Sequence, residues 1–434
     1  MANKGDIRKE EIQPNFPKRW DIIPFKNGLM KSGKFTKLKS SQYLETGIYP
    51  IIDQGEKFIS GYIDDKNLIY DGILPIVIFG DHTRNIKFID FPFAAGADGT
   101  KILAPVEDIN PHFFYYYLKT LKIPSFGYSR HYKVFDFLDL PIPPLPEQQR
   151  IVAKLDALFR HLDSLREKLD LIPELLKNFR QQVLTQAVTG ELTKEWREGK
   201  GLGEWEYIGL QEVADVVDPH PSHRTPPSVL DGVPYISIKD VDSKGRIDFK
   251  NSNLVSPKVL EEHIKRYELK DGDLGFGKIG TLGKPFRLPI FNERNYTLSA
   301  NIILIQPKSN CNPKFLFYYL DSPIINKLLK EGAKATSQPA FGIKKARVFP
   351  TPSPSQEEQK EIVTQIDALF SLADKIESRY GSLKVKIDQM PQAILAKAFR
   401  GELVEREVKE YVVEEGEGLM AAEEQLRYRL KTKT

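Results

Sequence analysis

The sequence predicts an α+β protein: two mixed α/β domains separated by a pair of long antiparallel coiled-coil helices, arranged as a pseudo-twofold internal repeat. Three observations carry this. The stretch Leu145 to Leu192 has a relative at Gln356 to Leu403, displaced by 211 positions without a gap. Inside both stretches apolar residues recur in alternating steps of three and four. Before each stretch lies a region of short β-rich runs, and these regions share an aromatic segment, PHFFYYYLKT from Pro111 and PKFLFYYLDS from Pro313, at an offset of 202.

Residues 1–140 alternate the runs IYPIID, KFISGYI, LPIVIF and NIKFIDFPF with Gly, Asp and Asn, which predicts a mixed domain with an irregular sheet. PHFFYYYLKTL, Pro111 to Leu121, is expected to be a short helix with a buried aromatic face. The prolines of LPIPPLPEQQ then impose an extended approach to the helical region 141–193. Its apolar positions are Leu155, Leu158, Leu162, Leu165, Leu169, Ile172, Leu176, Phe179 and Val183. A seam that keeps this step over several heptads faces a partner helix, and the simplest partner is the other copy. The helix, from about Glu147 to Val188, would be roughly 60 Å long at about 1.5 Å per residue. Pro173 should kink it, and Gly190 should end it as a C-terminal cap.

A second mixed domain occupies residues 194–349, where the FG at Phe79 recurs at Phe276. The helical region 350–404 repeats the first, with seam residues Ile366, Leu369, Ala373, Ile376, Tyr380, Leu383, Ile387, Met390 and Ile394, a kink expected at Pro391 and a stop at Gly401. The offset drifts in the domains and not in the helices, so whatever distinguishes the halves sits in the domains. The termini of a compact domain usually lie close together, so the second helix should run back along the first. Two similar heads held a fixed distance apart suit a target with two separated half-sites. The charged tail 405–434 reads as a solvated extension, or as a docking segment for a partner.

Composition narrows the classes. With 434 residues there is room for several domains, and a single cysteine, Cys311, excludes a disulfide framework and any multi-cysteine metal site. A reducing cytoplasm fits that usage. No apolar run is long enough to span a bilayer, and MANKGDIRKEE lacks the core of a signal peptide. A net charge of +4 on 63 basic and 59 acidic residues requires any anionic partner to be met by local patches.

Several motifs suggest chemistry and then fail on context. GDLGFGKI, from Gly272, matches GxxxxGK, yet Ile279 stands where a magnesium-binding hydroxyl belongs and no good helix follows; a strand and glycine turn is the better account. DVDSKGRIDFK, from Asp240, has the spacing of a calcium loop, but Lys244 and Asn251 occupy ligand positions, so a polar turn is expected. His220 and His223 lack a third metal ligand nearby. No acidic or Asn residue precedes Pro-Pro-aromatic, the pocket an adenine methyltransferase uses for a flipped base. Catalytic, cofactor-binding and metal-binding residues are therefore none.

The motifs LPIPPLPEQQRIVAKLDAL and AVTGEL, with their partners EEQKEIVTQIDAL and AFRGEL, resemble the conserved regions of the specificity subunits of type I restriction-modification enzymes. The resemblance covers nearly the whole chain, the second copy departing with SPSQEEQ where the first has IPPLPEQ. It implies two target-recognition domains that read a bipartite sequence in double-stranded DNA, one half-site each. It also implies two bound methyltransferase (modification) subunits that modify adenine, carry the S-adenosylmethionine, and are joined by restriction/translocase subunits. Loops rich in Arg, Lys, His, Ser and Tyr can combine phosphate contacts with base-edge hydrogen bonds. In the first domain these are GDHTR (Asp81, His82, Thr83, Arg84) and YSRHYK (Tyr128, Ser129, Arg130, His131, Tyr132, Lys133). In the second they are HPSHRT (His220, Ser222, His223, Arg224, Thr225), KIGTLGK (Lys278, Thr281, Lys284) and TSQ (Thr336, Ser337, Gln338). The alternatives are a structural coiled-coil scaffold, which leaves the two domains unexplained, and the specificity subunit of a methyltransferase-only system.

Overall fold

Each domain closes on itself by pairing its first strand with its last. In the computed structural model residues 8–403 are described, apart from 97, 126, 128–129, 221–224, 243, 279–282, 292–294 and 333–340, and the tail 405–434 lies outside the described residues. Two compact units emerge, Met1–Leu169 with Ser382–Thr434, and Asp170–Gly381. Each therefore holds one mixed domain and parts of both long helices.

The first domain runs β1 (Asp21–Pro24), β2 (Tyr49–Ile52), β3 (Gly61–Ile63), β4 (Ile76–Gly80), β5 (Ile86–Ile89), β6 (Ala94–Ala95), β7 (Thr100–Leu103), the aromatic helix Pro111–Thr120 and β8 (Asp139–Ile142). β1 pairs antiparallel with β8. β2 lies between antiparallel β3 and parallel β6, and β4 between antiparallel β5 and β7. The run IVIFG of β4 is buried throughout, as a continuous apolar strand must be when both faces are covered.

The second domain runs β9 (Tyr207–Gly209), β10 (Ala214–Val217), β11 (Ser228–Ile236), β12 (Asn253–Val255), β13 (Leu274–Gly277), β14 (Pro285–Arg287), β15 (Thr297–Leu298), β16 (Ile302–Pro307), the aromatic helix Pro313–Leu320 and β17 (Pro350–Pro352). Its topology repeats the first strand for strand: β9 with β17, β11 between β12 and parallel β15, and β13 between β14 and β16. β10 adds one edge strand beside β16. GDLGFGKI thus supplies β13, and Gly275 has no alternative because a Cβ there would lie 2.2 Å from the Phe286 ring. DVDSKGRIDFK forms a polar turn in which the Asp242 carboxylate accepts from Lys244 N and Arg246 N.

The two aromatic helices start alike. Pro111 and Pro313 fill the first turn, where a missing N–H costs nothing. Asn110 Oδ1 accepts from Phe113 N at 3.1 Å and Asn312 Oδ1 from Phe315 N at 3.3 Å. Phe113, Phe114 and Tyr117, like Phe315 and Tyr319, are buried.

The long helices read their domains through a repeated set of side chains. Gln148 Oε1 accepts from Asn110 N at 2.7 Å, and its Nε2 donates to Asp108 O and Pro143 O. Gln359, 211 positions on, accepts from Asn312 N at 2.6 Å and donates to Asn310 O and Pro354 O. Only carbonyls are used at 143 and 354, which is why SPSQEEQ can replace IPPLPEQ without changing the anchor. Glu147 accepts from Trp20 Nε1 and Arg19; Glu358 accepts from Trp205 Nε1, Arg197 and Thr193. Asp156 accepts from Tyr116 and Asp367 from Tyr318, both at 2.5 Å.

The first long helix ends at Asp170 and resumes at Ile172, with Leu171 between, so Pro173 does interrupt it. Having no N–H and a ring that crowds the carbonyl four residues back, proline breaks the ladder there. The second long helix, Gln356–Phe399, passes through Pro391 without a break. Gly190 (φ 85) and Gly401 (φ 71) take the left-handed conformation expected of the caps.

Within each unit the helical segments are antiparallel. In the first, Leu155 shares a core with Leu395 and Phe399 while Arg166 pairs with Asp388. In the second, Val183 packs with Ile366 while Arg180 reaches Asp374 at 2.7 Å and Glu377 at 3.3 Å. Leu155, Leu162, Val183, Ile366, Ala373 and Ile387 bury the seam. Against the expectation from the heptads, Ile376, Leu383 and Met390 are exposed, as are Leu171, Leu175 and Leu372. A single partner helix covers a stripe from one side only.

The anchors differ in burial, and their removal should differ accordingly. Glu358→Ala strands a buried Arg197 and is expected to cost about 3–5 kcal/mol. Glu147→Ala takes one partner from an Arg19 that already meets water, at about 1 kcal/mol. Urea unfolding of both variants checks the order.

Candidate nucleic-acid interface

Three loops converge in the first domain, and main-chain hydrogen bonds bring them together. After β2, Ile52 O accepts from Gly96 N at 2.9 Å; after β4, Asp81 N donates to Gly99 O at 2.8 Å; and Asp81 O accepts from His131 N at 2.9 Å. The second domain repeats all three: Ser299 N to Ile236 O at 2.8 Å, Lys278 N to Asn301 O at 2.8 Å, and Phe341 N to Lys278 O at 2.9 Å. Positions 52, 81, 99 and 131 thus correspond to 236, 278, 301 and 341, where the side chains are mostly different.

GDHTR and the RHYK end of YSRHYK, far apart in sequence, meet at this point, while Tyr128 lies outside the described residues. The buried Asp81 carboxylate accepts from Tyr132 N at 2.7 Å and pairs with Lys101 at 3.7 Å. Lys101 lies 5.3 Å from the centre of the Tyr132 ring. His131 is fully buried and its Nδ1 lies 2.8 Å from Asp81 O, so it braces the junction from inside and does not present an edge to a ligand. His82, Thr83, Arg84, Arg130 and Lys133 are exposed around it. Arg84 holds φ 64, unusual for a residue with a Cβ, and its Nη1 donates to Ile123 O at 3.0 Å, tying the hairpin turn to the segment before Arg130. Ser129 lies outside the described residues.

In the second domain Lys278 occupies the junction and pairs with Asp218 at 3.0 Å. Lys284, at the far side of the same hairpin, donates to Asp242 O at 3.5 Å. Thr225 is exposed and lines a polar cavity of about 380 Å³ with Tyr235, Ser237, Lys239, Asn253, Ser299 and Asn301. That cavity sits at the ends of the parallel strands β11 and β15. Ser222, His223, Arg224, Thr281, Ser337 and Gln338 lie outside the described residues, although the chain re-enters them at Phe341, on the junction itself.

Sequence reasoning missed Gln54, Asn85 and Lys101 in the first domain and Ser237, Asn253, Ser299 and Asn301 in the second. All lie at or beside strand ends, and only the pairing of those strands brings them to the loops. His220 belongs to the core: its ring meets His263 edge-on at 4.8 Å and Tyr235 at 5.9 Å. No group of three His, Cys, Asp or Glu among the described residues could hold a metal ion. No helix among them is long and apolar enough to cross a membrane.

A family model described as the type I restriction modification DNA specificity domain matches residues 18–174 and again 203–381. The chain belongs to this family. Among its relatives, the specificity subunit of the type I restriction enzyme EcoBI of Escherichia coli is 30% identical over 369 residues, 80% of this chain and 77% of that protein. The StySPI specificity subunit of Salmonella potsdam is 27% identical over 427 residues, 89% of this chain and 90% of the relative. A solved structure, the HsdS subunit of Thermoanaerobacter tengcongensis, has the same fold at a TM-score of 0.58 and 18% identity, covering 89% of this chain and 98% of that one. In this member of the specificity family the two matched segments are the two mixed domains, each with the first part of the long-helix region that follows it.

The histidine pair gives the second domain a pH dependence. Burial, helped by His220, pushes His263 from 6.5 down to about 4. Between those values the unfolded chain binds a proton that the fold refuses, so stability falls as pH drops through the window, by up to about 3 kcal/mol. Urea midpoints at pH 7 and pH 4.5 should diverge in the wild type, and His263→Gln should reduce the difference.

Proposed function

We propose that the chain reads a bipartite duplex DNA sequence, one half-site per recognition domain, and carries two methyltransferase subunits on its paired helices. The observation that carries the reading is the junction built twice, with the same three main-chain bonds and different side chains. A common frame holds the loops, and what they display sets the sequence. Exposed arginines, lysines and hydroxyl groups around the frame suit contacts to phosphates and base edges. The chain itself performs no chemistry in this reading. S-adenosylmethionine is bound by the modification subunits, which act on adenine, and restriction/translocase subunits join the same cytoplasmic assembly.

Exposed apolar residues on the helices support the second half of the proposal. Leu171, Leu175, Leu372 and Ile376 in one unit, and Leu383 and Met390 in the other, project from otherwise polar helices. Bare apolar positions of this kind on a helix pair suit further helices from a partner.

Mapping methylated adenines in cells that express the chain with its modification subunits should reveal a split motif with a fixed spacer. Arg130→Ala should relax discrimination at one half of that motif by about tenfold, the scale of one base contact, and leave the other unchanged. Equal loss in both halves would count against one reader per half-site. Leu175→Glu with Leu372→Glu should weaken co-purification of the modification subunit while leaving the unfolding midpoint of the chain alone.

A further inference from the structure

We infer that Gln54 is a positioning residue for the first half-site, holding the loops of that domain in one geometry without itself contacting a base. The inference rests on the reading of the first domain as a base reader. Gln54 follows β2 by two residues. Its Nε2 donates to Asp98 O at 2.7 Å and its Oε1 accepts from His82 N at 3.1 Å. Its main-chain oxygen accepts from Thr83 Oγ1 at 2.5 Å and Asn85 Nδ2 at 3.0 Å. One residue thus joins the loop after β2, the β4–β5 turn and the turn before β7. Both ends of its amide are committed to main chain, so it acts through His82, Thr83 and Arg84.

Two further features show that the seat is built for this side chain. Gly99 has φ +90, and a Cβ there would stand 2.6 Å from Gln54 Oε1 and 2.7 Å from its Nε2. The loop that carries Gln54 is itself anchored from below. Lys87, buried in β5, donates through Nζ to Asp53 O at 2.9 Å and Lys57 O at 2.5 Å. Asp53 Oδ1 accepts from Gly55 N at 2.8 Å and Ser60 Oγ at 2.6 Å. Burial lowers the Lys87 ammonium from its ordinary range, with Asp53 opposing that shift.

The described residues of the second domain carry a different tie. Because Ile236 corresponds to Ile52, Ile238 stands where Gln54 does, and an apolar side chain can make neither bond. Asn301, at the place of Gly99, instead donates through Nδ2 to Ser237 Oγ at 3.3 Å. Loss of the brace should therefore be felt in one half-site only, which a general loss of folding would not reproduce.

The test uses the complete complex with its modification subunits, comparing methylation of a duplex carrying the mapped site with duplexes changed at single positions in each half. Gln54→Met fills the same space without either amide bond. It should lower discrimination about tenfold in the half that Arg130→Ala also relaxes, with the other half and the unfolding midpoint unchanged. Gln54→Glu keeps the acceptor for His82 N and should lose less. Hydrogen exchange at His82 and at Asp98–Gly99 should speed up in Gln54→Met, a readout that does not depend on DNA. Unchanged discrimination overturns the inference while leaving a split motif, and with it the proposed function, intact; equal loss in both halves overturns the inference and counts against one reader per half-site as well. Absence of any split motif for the wild-type complex overturns both.

Discussion

The rest of the architecture depends on one constraint: a buried glutamine at the start of each long helix that satisfies main-chain groups of the domain beside it. Gln148 and Gln359 each accept one N–H and donate to two carbonyls. Buried main-chain groups left without partners would cost about 1–3 kcal/mol each, so the amide is hard to replace. Three directional bonds also fix how the helix leaves the domain. The adjacent glutamates, reaching Trp20 and Trp205, and the tyrosines that donate to Asp156 and Asp367 extend the same joint along the helix face.

This joint explains why the helices keep a constant offset while the domains drift. Residues that contact both a helix and a domain are constrained from two sides. The loops at the junction share only three main-chain bonds between the domains, which any residue but proline can make, and their side-chain ties differ. Asp81 and Lys278 therefore occupy equivalent places with opposite charge, each compensated locally, by Lys101 in one domain and Asp218 in the other. The three main-chain bonds thus tolerate opposite charges at the same place.

The helix pair adds a second asymmetry, between what is covered and what is left open. Phe399 packs at a tilt against Phe113 and Tyr117, and Val183, Ala187 and Ile362 close another core. Away from these ends the helices cover each other incompletely, leaving leucines in water that a further partner could cover. Charges bridging the pair, such as Arg180 with Asp374 and Glu377, are exposed on their acidic side and contribute little stability. They set register more than strength.

The repeat, the helix caps at Gly190 and Gly401, the aromatic helices and the buried strands at Phe79 and Phe276 were legible in the sequence because each rests on local rules: periodicity, glycine's access to positive φ, proline at a helix start. GDHTR and YSRHYK can be picked out by composition, but not as neighbours, and His131 reads as a DNA-contact candidate because nothing local reveals that it is buried. Gln54, Ser237 and Asn301 gave no signal, since each is an ordinary polar residue at a strand end. Sequence by itself determined which segments form and that they form twice. Only the tertiary structure decided which loops meet, because that follows from pairing β2 with β6 and β4 with β7 across long stretches of chain, an arrangement set by shared cores and not by any residue's own neighbours.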